Sequence, residues 1–259
     1  MSNNYNEIDL EYLKKVARGR LHPRRVVYYY LFTSLFGFFG FLSSAELSGL
    51  FWECLFYIEM GALVFQVVSG ILFLCTPLKF KLQKLLHIFC ITYLVKMAID
   101  AYIVLFVFTA EKNTSFIFLV LDLISLVGGI VFIIYCVKRA WRQVGQGAFK
   151  IDGPGLYDYK PNDKLTKIAQ IGGGAVLLVG IFSRHASESN NIYIYSLWLF
   201  GLLLLMSVVP VFVGLAMPES ILLLYCKSRF PSFLVTSKDP MLPIDPSYWE
   251  EEDSKDEHL

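Results

Sequence analysis

Four ionisable residues sit where water should be absent. Glu59 lies inside an apolar block over 51–75, Lys96 and Asp100 inside one over 85–109, and Asp122 inside one over 115–137. A charge at the centre of a spanning helix costs ~2.5–3.5 kcal/mol on insertion scales, so it normally faces the bundle interior and finds a partner there. Lys96 and Asp100 are four residues apart and share a helix face, which Thr92 extends. Gln66 follows Glu59 by one heptad, with Ser69 and Gly70 close to the same stripe. Ser125 and Gly129 continue the face of Asp122. Each charge therefore shares its face with small or polar residues, the pattern of a helix interface. At 1.5 Å per residue Glu59 and Asp122 lie roughly 12 Å from one end of their blocks, and Asp100 roughly 15 Å from the same end of its own. The spacing predicts a three-helix core in which Lys96 meets Glu59, Asp100 and Asp122.

Three acids against one base leave an excess of negative charge in a medium of low dielectric. One reading makes the cluster of Glu59, Gln66, Lys96, Asp100 and Asp122 structural glue, centred on a Lys96–Asp100 pair with the other carboxyls neutral. The other makes it a proton or cation site, since intramembrane acids mark ion paths. Other chemistry is missing. The sequence has no H-E-x-x-H, no G-x-S-x-G and no His cluster. Gly145, Gly147 and the Gly153-Pro154-Gly155 run are turn signals without the Lys-Ser/Thr of a phosphate loop. The five cysteines are scattered, with no C-x-x-C pair, and read as small buried hydrophobes. No catalytic residue, metal or cofactor is expected.

The elements that must position these charges are spanning helices. Of 259 residues 56% are hydrophobic and only 17% charged, with a mean hydropathy of +0.54. That leaves too little polar surface for a water-soluble globule, since ordinary domains carry about 25% charged residues. Six blocks, over 26–42, 51–75, 85–109, 115–137, 168–182 and 192–215, read as spans of ~30 Å of hydrocarbon, the first and fifth of them short. The fold class is an all-α, polytopic membrane protein with six transmembrane helices. Glycines in the block over 168–182, Gly172-Gly173-Gly174 and Gly180, suit close helix packing. Pro210 should kink the last span, and Pro218 should start a short interfacial helix over 220–225.

Twenty of the 23 Lys and Arg fall in the two terminal segments and two alternate connections. Basic residues mark the cytoplasmic side, so both termini are expected there. The chain then divides into a basic amphipathic segment over 1–25, four spans over 26–137, and a cytoplasmic loop over 138–167. Two spans and the interfacial helix follow over 168–226, and then a tail over 227–259 rich in acids, which is expected to be disordered. Ile8, Tyr12, Leu13, Val16 and Ala17 predict one apolar helical face. Beside it Lys14, Lys15, Arg18, Arg20, Arg24 and Arg25 suit anionic lipid. Phe149, Tyr157 and Tyr159 hint that the long loop packs as a cap. A net charge of +1 gives no reason to expect nucleic acid.

These features point to a plasma-membrane protein that is not an enzyme and works by binding another membrane protein. It would serve as an accessory subunit of a secretion or transport complex, or as an immunity-type protector. The alternative is a small proton- or cation-coupled transporter or channel built on the charge cluster. A membrane-embedded lipid enzyme is the third class, and it lacks the acid and His combination such sites need.

Overall fold

The computed structural model of the chain describes residues 5–45, 50–111, 116–150, 153, 155–156 and 192–242. All regular structure among them is helical. After a 3₁₀ turn at Glu7–Leu10 come α1 (Tyr12–Arg18), α2 (Pro23–Ala45), α3 (Leu50–Leu74), α4 (Thr76–Lys81), α5 (Gln83–Glu111), α6 (Phe116–Gly145) and α7 (Ile192–Arg229). A final 3₁₀ turn covers Pro231–Phe233. Five of these helices, α2, α3, α5, α6 and α7, are long and apolar enough to cross a membrane. Five of the predicted spans thus each have a helix. The block over 168–182 lies outside the described residues, as do Tyr157, Tyr159 and residues 243–259 of the tail; the tail's first part, 227–242, does not fit the expected disorder, since α7 runs to Arg229, a 3₁₀ turn follows, and Phe233 and Val235 are buried.

Proline marks two helix starts. Pro23 opens α2, where its fixed φ suits the first turn and its missing N–H is no loss. Pro77 does the same in α4, a six-residue helix set between α3 and α5 by extended backbone at Cys75. In the bundle α5 is central, packing on α2, α6 and α7, while α3 packs chiefly on α2.

The seam between α6 and α7 is fitted by glycine. A Cβ at Gly129 would lie 2.9 Å from Cβ and Cγ of Pro210, and one at Gly214 would lie 2.8 Å from the Phe132 ring. Each helix therefore offers a notch to the other's bulky residue. Ser125 joins the seam through hydrogen bonds to Ser207 (2.7 Å) on α7 and Tyr102 (3.0 Å) on α5.

Three expectations need correction. The span over 115–137 does not end where the cations begin: α6 runs on to Gly145, so its first eight loop residues are helix. The reason is that Ile133, Cys136, Ala140 and Val144 keep a buried face at helical spacing, with Lys138, Arg139 and Arg142 standing outside it. The interfacial helix over 220–225 is not separate. It is the last part of α7, which holds both Pro210 and Pro218 within one 38-residue helix. Pro218 weakens the ladder, but Val213, Leu222, Leu223 and Cys226 are fully buried on either side and hold the helix through it. Last, the N-terminal apolar face is broken. The turn at Glu7–Leu10 puts Leu10 inside and leaves Ile8 72% exposed.

That N-terminal face lies on protein. Leu10, Leu13, Val16 and Ala17 share one core with Ala140 and Val144 of α6, Leu222 and Cys226 of α7, and Phe149, Leu156 and Phe233. Tyr12 N donates to Phe149 O at 3.0 Å, and Leu242 N to Arg18 O at 3.0 Å. Gly155, at φ +71°, lets the chain pass within touching distance of the Tyr12 ring, where a Cβ would fall at 2.7 Å. Of the long connection, Phe149 and Leu156 are thus buried in a core shared with α1, the ends of α6 and α7, and Phe233 and Val235.

Candidate intramembrane charge site

The predicted cluster forms in part. Lys96 on α5 donates to both carboxylate oxygens of Asp100, at 2.8 and 2.7 Å, and also pairs with Glu59 on α3. The i, i+4 spacing brings the first pair together within one helix. The second joins two helices. Glu59 and Asp100 are 4% and 2% exposed, while the Lys96 side chain keeps 18% exposure. Two carboxylates against one ammonium leave one negative charge, to be met by a proton, a donor or a cation.

Gln66 lies one heptad from Glu59 on the same face of α3, and its amide nitrogen donates to Tyr30 O (2.8 Å) and Thr33 Oγ1 (2.6 Å) on α2. Its Oε1 is buried without a hydrogen-bond partner among the described residues. Ser69 bonds the Tyr30 hydroxyl at 2.7 Å, and Tyr93 OH donates to Ala62 O at 2.8 Å. A polar ladder thus ties α2, α3 and α5 along the half of the bundle nearer the cations.

Asp122 is not part of this cluster. It accepts from Thr109 Oγ1 at 2.8 Å and is 2% exposed. Thr109 stands nine residues from Asp100 on α5, roughly 13 Å along the helix axis. The expectation that Lys96 gathers all three acids fails for that reason: α6 packs against α7 and the far end of α5, and its carboxyl meets a hydroxyl there.

The residues that sequence reasoning missed are on α2. Gly37 and Gly40 face the site. A Cβ at Gly40 would stand 3.3 Å from Cβ and Cγ of Asp100, so the helix backbone lies against that side chain. At Gly37 the nearest atoms would be Gln66 Oε1 at 3.7 Å and Asp100 Oδ2 at 3.8 Å, so both face one notch. The signal was present in the sequence: Tyr30, Thr33, Gly37 and Gly40 recur at helical spacing within an apolar block.

The basic N-terminal residues are partly engaged. Arg20 makes a two-point pair with Glu219 on α7, its Nε at 2.7 Å, with side chains only 13% and 8% exposed. Lys14 pairs with Glu7 at 2.8 Å, Arg25 donates to Leu242 O at 2.9 Å, and Arg24 lies over the Phe80 ring. Hydrogen bonds from Lys14 first and Ser232 next hold the Glu7 carboxyl below its ordinary range.

Fold and site together define a class: an all-helical bundle with five helices able to cross a membrane, three of them joined by a buried charge and amide network. No family model, curated protein or solved structure matches the chain.

Proposed function

We propose that the chain is a plasma-membrane protein with both termini in the cytoplasm, six spans in all, which works without catalysis by binding another membrane protein. The observation that carries this reading is a lateral groove of about 330 Å³ between α2, α5 and α7. Tyr29, Phe32, Leu94, Phe212 and Leu215 line it, and it ends at the Arg20–Glu219 pair. Phe32 and Phe212 are 59% and 65% exposed, so bulky apolar side chains stand open at its rim. A side chain from a partner's spanning helix fits such a groove, because membrane helices associate through packing rather than hydrophobic transfer. In this reading the partner is a subunit of a secretion or transport complex, or a membrane-acting toxin. The Lys96 cluster braces the bundle, and the basic residues of the N-terminal segment hold anionic lipid. The test is a photo-crosslinking residue at 32 or 212 in native membranes. One defined protein should be captured, and capture of lipid alone overturns the reading.

The exposed part of Lys96 favours a second reading, a proton- or cation-coupled transporter using Glu59 and Asp100. Glu59→Gln would then abolish flux into proteoliposomes while the protein stays folded. A protein that folds but shows no flux before mutation refutes it.

A further inference from the structure

The open face of α6 does not end with its apolar block. Ile124, Val131 and Tyr135 are 62%, 59% and 59% exposed. Lys138 and Arg142 follow them at steps of three and four residues, with Arg139 alongside, and all three are exposed. Positions spaced in this way share one face of a helix. Ile133, Cys136, Ala140 and Val144 are buried on the opposite face. One continuous helix therefore presents an open stripe that is apolar up to Tyr135 and basic from Lys138 on.

The heights along this stripe fit a bilayer. From Phe116 to Tyr135 the helix rises roughly 28 Å, close to the ~30 Å of a hydrocarbon core. Lys138 stands roughly 4.5 Å beyond Tyr135, and Arg142 roughly 10 Å beyond it. A headgroup layer adds ~5–7 Å on each side of the core, and long basic side chains reach toward it while their stems cover apolar surface. Tyr135 stands at the boundary, where an aromatic ring with a polar tip is favoured.

No described carboxylate answers the three charges. At this end of the bundle Glu7 and Glu11 pair with Lys14, Asp9 with Lys150 and Glu219 with Arg20, and Asp239 accepts from Thr236 N. The side chains of Lys138, Arg139 and Arg142 make no hydrogen bond or ion pair among the described residues. Like charges three and four residues apart on a helix repel. Only Arg142 lies in the last turn of α6, where the helix dipole favours a cation. An anion at this level relieves all three, and the two Arg forks match phosphate oxygens.

We propose that Lys138, Arg139 and Arg142 form a docking surface for the headgroup of an anionic phospholipid, whose acyl chains lie along Ile124, Val131 and Tyr135. The proposal rests on α6 crossing the bilayer. It is separate from the lipid contact assigned above to the N-terminal segment, where Lys14 and Arg20 already have carboxylate partners. A soluble acidic partner would engage the basic half of the stripe alone, whereas a lipid uses both halves of one face.

The test reconstitutes the full chain in vesicles of equal parts phosphatidylcholine and phosphatidylglycerol, with a trace of a photoactivatable analogue of one lipid or the other. Labelled peptides are identified by mass spectrometry. The phosphatidylglycerol analogue should label residues 131–142 in preference to the phosphatidylcholine analogue, and added salt should weaken that preference. A basic residue near an anionic surface is worth about fivefold, so Arg142→Gln should reduce the preference by about that factor. Lys138→Gln, Arg139→Gln and Arg142→Gln together should abolish it, with helical circular dichroism unchanged. Equal labelling by the two analogues, or an undiminished preference in the folded triple variant, overturns the proposal. Labelling confined to residues 14–25 does so too, while leaving the N-terminal lipid contact standing. A preference that appears only once residues 243–259 are removed gives the stripe to the acidic tail instead. Absence of labelling along α6 by either analogue removes the span, and the proposal with it.

Discussion

Lys96→Met is the most direct test of the charge site. Methionine keeps the length and apolar stem of lysine and deletes the ammonium that touches Glu59 and Asp100. Both carboxyls are at most 4% exposed, so water cannot replace the lost partner. Removing one member of a buried ion pair costs about 3–5 kcal/mol. At about 1.4 kcal/mol per tenfold, the unfolding constant should rise between roughly 100- and several thousand-fold. The triple change Lys96→Met, Glu59→Gln, Asp100→Asn removes every charge together. It should recover most of that loss, because neutral replacement of a whole buried ion network is often close to neutral in stability. The assay is reversible unfolding in mixed micelles, followed by helical circular dichroism. A loss under about 1 kcal/mol for Lys96→Met would place the cluster with solvent-screened surface pairs and refute the reasoning. A triple variant as unstable as the single one would do the same.

Three further outcomes follow from the geometry. Gly129→Ala puts a Cβ at 2.9 Å from Pro210 and should cost about 1–3 kcal/mol, with Pro210→Ala relieving part of it in a double-mutant cycle; additive losses would show that the two do not touch. Asp122→Asn keeps an acceptor for Thr109 and should change stability by less than about 1 kcal/mol, with no coupling to Lys96→Met in the same kind of cycle. His22 has a folded value of about 4 against an ordinary 6.5, so the unfolded chain takes up its proton first as pH falls. The contribution of His22 to stability is therefore complete above about pH 6.5 and lost toward pH 4, by at most about 1.4 kcal/mol per pH unit. Unfolding of His22→Gln should be flatter than wild type across that window, and identical slopes would count against the buried, neutral imidazole.

What the sequence disclosed depended on how far each interaction reaches. Lys96 and Asp100 could be paired from their spacing because one helix fixes both. Gln66 and Glu59 could be placed on one face for the same reason. Asp122 could not be assigned, because depth within a block says nothing about which neighbour a helix leans on. The choice of α6 for α7 was made by Gly129 and Gly214, and their partners Pro210 and Phe132 are some eighty residues away in sequence. Local rules also misled where packing overrode them. Pro218 is a sound start signal, yet Leu222, Leu223 and Cys226 are held by a core to which α1 and Phe149 contribute, and the helix continues through.

The same core explains why the cation-rich end holds more order than its composition suggests. Charge-rich segments remain unfolded when they cannot bury enough apolar surface to offset chain entropy. Here each segment supplies only a few apolar residues. They become sufficient only when Leu13 and Val16 from the N-terminus, Phe149 from the middle and Phe233 and Val235 from the C-terminal side meet on the ends of α6 and α7. The cations cannot follow them inside without partners. Arg20 is accordingly met by Glu219, and Lys14 by Glu7. Lys79 and Lys227 differ from these: both are buried with no carboxylate paired to them among the described residues, and Lys79 donates instead to Leu74 O at 3.2 Å.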